Sequence, residues 1–226
     1  HILQRLSETG NSKTAEIYRN RGAPDPLFGV AFADLKRIRK EIGSSKGKKG
    51  INQIIADELW TTGNTDARTL AAMIIDIGEF TMAMADQWLK ECNYYVIADY
   101  IAEALIKSAY INTWLDSRLA SEDELTRRAC YIALAHEIRF KQFRSDAYYE
   151  SILNRIEADI QASPNRSKEG MNNCLISIGG INQNLKLKAL KVGENIGEVE
   201  IDHGDSQCQT FIIPDYIERI WARKSK

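Results

Sequence analysis

Apolar residues recur three or four positions apart along most of the chain, which is the pattern of amphipathic α-helices. Beyond Asn93, a predicted N-cap, one side of the next helix carries Ile97, Ile101, Ala104 and Leu105. Only 4 prolines interrupt the 226 residues, and proline is the residue that breaks helices most strongly. The sequence therefore predicts an all-α fold.

The predicted helices after residue 50 come in pairs that begin at intervals of roughly 31 to 36 residues. The expected ranges are 3–21, 34–42, 51–61 with 66–77, 81–91 with 94–108, 111–120 with 123–138, and 146–160 with 168–179. Each pair must bury its apolar face on its neighbours, which favours stacked repeats in a curved α-solenoid with one concave face. We expect a single domain over 1–226, with N-terminal helices and a basic loop in 1–49 and helix pairs in 50–195.

The C-terminal extension, 196–226, breaks this pattern. Residues 197–208 alternate in part and are rich in Gly and Asp, which predicts an extended excursion or a short hairpin before a helix over 215–223. Four residue types that bind metals lie close together there: Asp202, His203, Asp205 and Cys208. Their spacing fits no known zinc motif, and we predict no metal site.

Charge is nearly balanced, with 30 Lys and Arg against 31 Asp and Glu and a net charge of −1. This argues mildly against a generic nucleic-acid binder, so the local clusters decide. The largest cluster lies off the buried stripe of the second helix and continues into the loop: Lys36, Arg37, Arg39, Lys40, Lys46, Lys48 and Lys49, against one acid, Glu41. Such a patch either neutralises phosphates or is a solvated helix face.

Two smaller basic clusters carry the same ambiguity. Arg127 and Arg128 open a predicted helix, where they either contact a ligand or brace the next repeat. Arg139, Lys141 and Arg144 form the other cluster.

The four cysteines are far apart and show no Cys-x-x-Cys spacing. Cys92, Cys130 and Cys174 lie in apolar helical contexts, which is typical of small core residues in a reduced protein. The N-terminus lacks a signal-peptide pattern, and no apolar run approaches the roughly 18 residues that span a membrane. We expect a cytoplasmic monomer with no membrane attachment.

Tyr95 and Asp99 stand four residues apart and should therefore share one helix face. An aromatic ring beside a carboxylate suits a cationic ligand, because both attract positive charge. The alternative is a half-buried packing tyrosine beside a solvated acid.

Three pieces of the chain carry a family resemblance. They are 28–42 (Phe-Gly-Val-Ala-Phe-Ala-Asp-Leu-Lys-Arg-Ile-Arg-Lys-Glu-Ile), 95–99 (Tyr-Val-Ile-Ala-Asp), and 171–179 with Asn184 and the Ile-Asp-His-Gly stretch at 201–204. Together they resemble the AlkD-type alkylpurine DNA glycosylases, which are built from HEAT-like helical repeats. The segment 95–99 is similar to that family's Trp-Asp-Leu-Val-Asp.

The resemblance implies excision of cationic N3- or N7-alkylated purines from double-stranded DNA, without a cofactor. The family's catalytic Asp falls on Asp99, and its aromatic neighbour falls on Tyr95, beside Tyr94. The second active-site Trp aligns with Asn173, which is not aromatic. A DNA-contacting Arg falls on Arg127 or Arg128, with Arg128 favoured. Lys36, Arg37, Arg39 and Lys40 are the other predicted DNA contacts.

Two alternatives from other classes stay open. The missing aromatic at Asn173 and the near-neutral charge favour a non-catalytic binder of branched or distorted DNA. A helical-repeat scaffold for a protein partner is the other alternative, since solenoids often have that role.

Overall fold

A computed structural model describes residues 1–42 and 50–224 of the protein. Within these ranges the secondary structure consists of 13 α-helices and one 3₁₀ turn, with no strand, which confirms the predicted all-α class. None of the helices in the described ranges is both long and apolar enough to cross a membrane.

The helices are numbered in chain order. The first seven are α1 (Ile2–Thr9), α2 (Ser12–Arg19), α3 (Phe32–Glu41), α4 (Gln53–Thr61), α5 (Thr65–Met73), α6 (Met82–Glu91) and α7 (Tyr95–Leu105). The others are α8 (Ile111–Arg118), α9 (Glu124–Arg139), α10 (Asp146–Asp159), the 3₁₀ turn Ile160–Ala162, α11 (Asn165–Gly179), α12 (Gln183–Ile196) and α13 (Ile213–Lys224).

The chain divides into two compact units. The first unit comprises His1–Trp114 with His203–Gln207, and the second comprises Leu115–Asp202 with Cys208–Lys226. The single continuous domain expected from the sequence stays a prediction.

Helix α5 is the centre of the first unit. Nearly all of its residues are buried, and it packs against α1, α3, α4 and α7. At its start, Asp66 accepts hydrogen bonds from the backbone N–H groups of Phe28, Gly29 and Val30, at 2.7, 3.0 and 2.9 Å. Burial raises the pKa of Asp66, and the three donated bonds offset only part of that rise. This carboxylate ties the segment before α3 to the core.

Helix α11 has the same role in the second unit. It packs along α9 and also contacts α10, α12 and α13. Gly179 permits the close approach of α13, because a Cβ at that position would lie 2.6 Å from Cδ1 of Ile217. The predicted helix pairs α4 with α5 and α6 with α7 are thus present in the first unit, and the pair α10 with α11 is present in the second.

The helix predicted over 3–21 is wrong as a single element, because the chain breaks at Gly10 and Asn11. A Cβ on Gly10 would lie 2.3 Å from the carbonyl oxygen of Phe28. The backbone N–H of Asn11 donates to the Gly29 carbonyl at 3.1 Å, and its side chain caps α2 at Thr14. Contacts with a distant segment therefore replace one turn of helix.

Three local predictions near α3 and α7 also need correction. Helix α3, predicted to start at residue 34, starts at Phe32 with Ala31 as its N-cap, so Asp34 lies in its first turn. Tyr94 rather than Asn93 is the N-cap of α7, and it makes no side-chain capping bond. Ala104 is only half-buried, since it borders a cavity described below.

The C-terminal extension contains the expected non-helical excursion between α12 and α13, and the hairpin alternative is not observed among the described residues. Asn165 fixes its middle by exchanging two hydrogen bonds of 2.7 Å with the backbone of Asp202. Asn172 donates to the Phe211 carbonyl at 2.8 Å and fixes its end. The excursion is therefore anchored to α11.

Candidate functional site

The region before α7 is held by a stack of aromatic rings. Trp60 of α4 lies parallel to Trp88 of α6, with ring centroids 4.0 Å apart, and the Arg68 guanidinium lies 4.8 Å from the Trp60 ring centroid. Arg68 also donates to the carbonyl oxygens of Trp60 and Glu91, both at 3.1 Å. The Trp60 indole donates to the Glu91 carboxylate at 2.7 Å. These contacts fix the end of α6 from which α7 follows.

The predicted catalytic face is at the start of α7. Tyr94 is buried, whereas Tyr95 and Asp99 are half-buried and lie one turn apart on the helix. The rings of Tyr94 and Tyr95 meet edge to face, with centroids 5.1 Å apart. Tyr94 therefore supports the Tyr95 ring and is not itself open to a ligand. The Asp99 side chain is therefore partly accessible to solvent, and lies neither within the core nor on the fully exposed surface.

Cys92 lies beneath this face and its Sγ donates to the Tyr94 carbonyl at 3.2 Å. Burial raises the pKa of Cys92 to about 12, and the negative charge of Asp99 adds to the rise. The thiol therefore stays protonated near neutral pH and is no nucleophile.

A cavity of about 260 Å³ lies beside the next turn of the same helix. Its charged and aromatic lining consists of Arg39, Asp76, Tyr100, Glu103 and Lys107. Burial raises the pKa of Tyr100, so its phenol stays neutral. With two cations facing two acids, the cavity has no field of a single sign and is not a dedicated phosphate pocket.

The basic cluster of α3 is divided by the structure. Lys36, Arg37 and Lys40 are exposed, whereas Arg39 turns toward the cavity, where its Nε donates to the Gly50 carbonyl at 3.4 Å. Arg37 pairs with Asp34 one turn earlier, at 2.8 Å. Lys46, Lys48 and Lys49 lie outside the described residues. Three of the four predicted α3 cations thus form one exposed face.

Both arginines predicted to contact DNA in the second unit have partners within the protein. Arg127 donates to the Ser121 carbonyl and to Oγ of Ser163. The Arg128 side chain is only 3% exposed and donates to the Glu169 carboxylate at 2.8 Å. The structure gives Arg128 the bracing role that the sequence left open as the alternative, and a DNA contact by Arg127 or Arg128 stays a prediction.

Glu169 accepts from Arg166 as well, at 3.0 Å. Burial raises the pKa of Glu169, but the two guanidinium groups outweigh burial and hold it below its ordinary value of 4.5. This buried group joins α9 to α11. Helical spacing does not predict the link between the two helices, because Arg128 and Glu169 are 41 residues apart.

Asn173 lies half-buried on α11, in the second unit. Its carbonyl oxygen accepts from Oγ of Ser177 at 2.8 Å, within the helix. Tyr94, Tyr95, Asp99 and the α3 cations belong to the first unit. A lesion-binding role for Asn173 stays a prediction.

Metal-ligand residue types do not cluster in the part of the chain that the structure describes. No group of three or more His, Cys, Asp or Glu side chains in these ranges is placed to hold an ion. His203 and Asp205 lie in the excursion, where Ser206 Oγ donates to the His203 carbonyl at 2.8 Å.

Comparison with known proteins bears on this site. Two curated relatives are the uncharacterized proteins Lmo0209 of Listeria monocytogenes and Lin0241 of Listeria innocua. Each is 24% identical over 222 residues, which covers 95% of this chain and 93% of the relative.

A solved structure is similar over the whole chain, with a TM-score of 0.85 and 28% identity, covering 99% of this chain and 93% of the other. The protein in that structure is described under the words "a new family of proteins related to the HEAT-like repeat DNA glycosylases with affinity for branched DNA structures". This similarity confirms the HEAT-like repeat type of the fold. The family described as DNA alkylation repair enzyme matches residues 2–209. The chain therefore belongs to the DNA alkylation repair family.

Proposed function

We propose that the protein binds DNA and prefers branched or distorted DNA to an intact linear duplex. The proposal is supported by the similarity to a protein family with affinity for branched DNA structures. It is also consistent with Asn173, because a binding protein does not need the second aromatic side chain that alkylpurine excision uses.

The observation that carries the proposal is the exposed cationic face of α3, formed by Lys36, Arg37 and Lys40. Lysine and arginine bind DNA by neutralising phosphates and releasing counterions, which requires no base sequence. The Arg37 pair with Asp34 is no obstacle, since its guanidinium side is 62% exposed and such a surface pair contributes little. The chain as a whole has a net charge of −1, so a polyanion would be attracted by this local cluster of cations and not by the overall charge.

The test is fluorescence anisotropy with a labelled four-way junction and with a linear duplex of the same arm sequence. We expect the wild type to bind the junction at least about tenfold more tightly. Replacing Lys36, Arg37 and Lys40 together by Glu should weaken both complexes at least about tenfold, because three phosphate contacts are lost.

The matched control changes three exposed lysines on other helices, with the same change in net charge: Lys13→Glu, Lys90→Glu and Lys191→Glu. This variant should stay within about threefold of the wild type. If both variants lost the same DNA affinity, the loss would be due to the change in net charge, and a binding site on α3 would be contradicted. Equal affinity of the wild type for junction and duplex would reject the branched preference.

A second function, hydrolytic excision of cationic alkylpurines, is supported by the half-exposed Asp99 one turn from Tyr95. In that reaction the glycosidic C–N bond breaks, the purine leaves with the bonding electrons as a neutral base, and water adds to the sugar and loses a proton. A carboxylate stabilises the oxocarbenium-like sugar and positions the water. Each aromatic face holds the cationic base by about 0.5–2 kcal/mol, so Asn173 predicts slow excision.

This second function is tested with a duplex that contains N7-methylguanine and with stoichiometric protein. Base release is measured by liquid chromatography and mass spectrometry. Asp99→Asn should abolish release, whereas Glu103→Gln, one turn further along α7, should retain it. Release that survives Asp99→Asn would contradict the assigned role, and no release by the wild type would leave only DNA binding.

A further inference from the structure

The turn between α9 and α10, residues 139–144 and here called the aromatic turn, exposes two large rings. Phe140 is 45% exposed and Phe143 is 55% exposed. Cations alternate with them: Arg139 places its guanidinium 4.7 Å from the Phe140 ring centroid, and Lys141 is exposed. Exposed phenylalanine is costly to solvate, and here it occurs twice within four residues.

The aromatic turn is held in one conformation from below. Arg144 makes two hydrogen bonds of 2.8 Å to the Glu137 carboxylate, and its guanidinium lies 4.7 Å from the Tyr148 ring centroid. The backbone N–H of Gln142 donates to the Glu137 carbonyl at 2.8 Å, and that of Lys141 donates to the Ile138 carbonyl at 3.0 Å. The two rings are therefore presented on a fixed support and lose little freedom on binding.

The charge of the aromatic turn indicates which kind of partner it binds. Glu137, beneath the turn, is buried and paired with Arg144, and the two exposed charged side chains within residues 139–144, Arg139 and Lys141, are positive. A second copy of the chain would bring like charges together at this surface. A polyanion with flat apolar faces matches both the cations and the rings, and that combination is found in nucleic acid whose bases are not covered by neighbours.

We propose that the aromatic turn is a separate DNA contact that stacks Phe140 and Phe143 on unpaired or branch-point bases. An intact duplex offers no such face except at its ends, whereas junctions and single strands do. The inference rests on the proposed DNA binding and adds the source of the preference for branched DNA.

The experiment compares the full chain with the variant Phe140→Ala/Phe143→Ala on three labelled DNAs: a four-way junction, a single strand and a relaxed, covalently closed circular duplex, which has no ends. Stacking predicts a loss of at least about fivefold on the junction and the single strand, with less than a twofold change on the closed duplex. A control variant, Ile54→Ala/Leu187→Ala, removes two apolar side chains elsewhere that are 64% and 60% exposed, and it should not change any of the three affinities.

Aromatic rescue separates stacking from mere apolar contact. Phe140→Tyr/Phe143→Tyr should restore the affinity for the junction, and Phe140→Leu/Phe143→Leu should not. Equal losses on all three DNAs, or no loss, would overturn the inference, as would full rescue by Leu. If these variants match the wild type while the α3 variant fails to bind, the inference falls and the proposed function stands. If the wild type binds none of the three DNAs, both fall.

Discussion

At the scale of single residues, the ion group of Arg128, Glu169 and Arg166 shows how spacing can mislead. Two adjacent arginines at the start of a helix indicate a basic surface, but Arg128 is buried and donates to Glu169, 41 positions further along the chain. Removing one member of such a group leaves a buried charge without compensation.

Glu169→Gln should therefore lower the free energy of unfolding at pH 7 by about 3 kcal/mol. Because the folded-state pKa of Glu169 lies below its ordinary 4.5, the stabilisation is complete above that value and is lost as the pH falls through the folded-state pKa. Urea titrations between pH 7 and pH 3 should thus show the difference between wild type and variant shrinking as the solution becomes more acidic.

The control is Glu194→Gln, which breaks an exposed pair with Lys191 and should change stability by no more than about 0.5 kcal/mol. A difference between wild type and Glu169→Gln that does not depend on pH would contradict the account of this group.

The residues of the predicted catalytic face show which features helical spacing determines and which it does not. Helical spacing alone predicts that Tyr95 and Asp99 share a face, and they lie one turn apart on α7. It does not predict that Tyr94 is buried, because the burial of a helix N-cap depends on neighbours that are distant in sequence. Arg68 was missed as a support of this region for the same reason, since its partners Trp60 and Glu91 lie on two other helices.

At the scale of elements, helix existence and pairing followed from apolar periodicity, while helix ends did not. Residues 3–21 carry one continuous apolar pattern, although Gly10 followed by Asn11, which caps α2 at Thr14, is a local signal for a break. The break is made by the packing of Phe28 and Gly29, which no window of sequence around Gly10 contains.

The end of α9 offers an element-scale prediction. Lys141 closes the helix with a φ of 59°, a left-handed conformation that favours glycine. Lys141→Gly should therefore raise the free energy of unfolding by about 0.5–1 kcal/mol. Thermal unfolding followed by circular dichroism would measure this change.

Lys191→Gly is the control, since it places glycine inside α12 and should destabilise by about 1 kcal/mol. If the aromatic turn binds DNA, Lys141→Gly should also weaken junction binding, because it removes one of the exposed cations. A more stable protein with unchanged junction affinity would show that Lys141 contributes nothing to binding.

At the scale of the whole molecule, a net charge of −1 means that DNA binding must depend on where the cations lie. If three phosphates are contacted, raising the salt concentration from 50 to 200 mM should weaken binding about 40-fold. The α3 variant should show a much shallower salt dependence than the wild type in the same anisotropy titrations. Affinity that does not respond to salt would exclude phosphate contacts as the basis of binding.

The accessibility of the four cysteine thiols follows from how the helices pack around them. Cys130 and Cys174 are buried and Cys92 is half-buried beneath α7 with its thiol kept protonated, whereas Cys208 is exposed in the excursion before α13. A colorimetric thiol reagent should therefore modify one cysteine rapidly in the native protein and all four after denaturation. Mass spectrometry would identify that one position as Cys208. A dye attached there would label each molecule once, and the reactivity of the three other cysteines would report on unfolding.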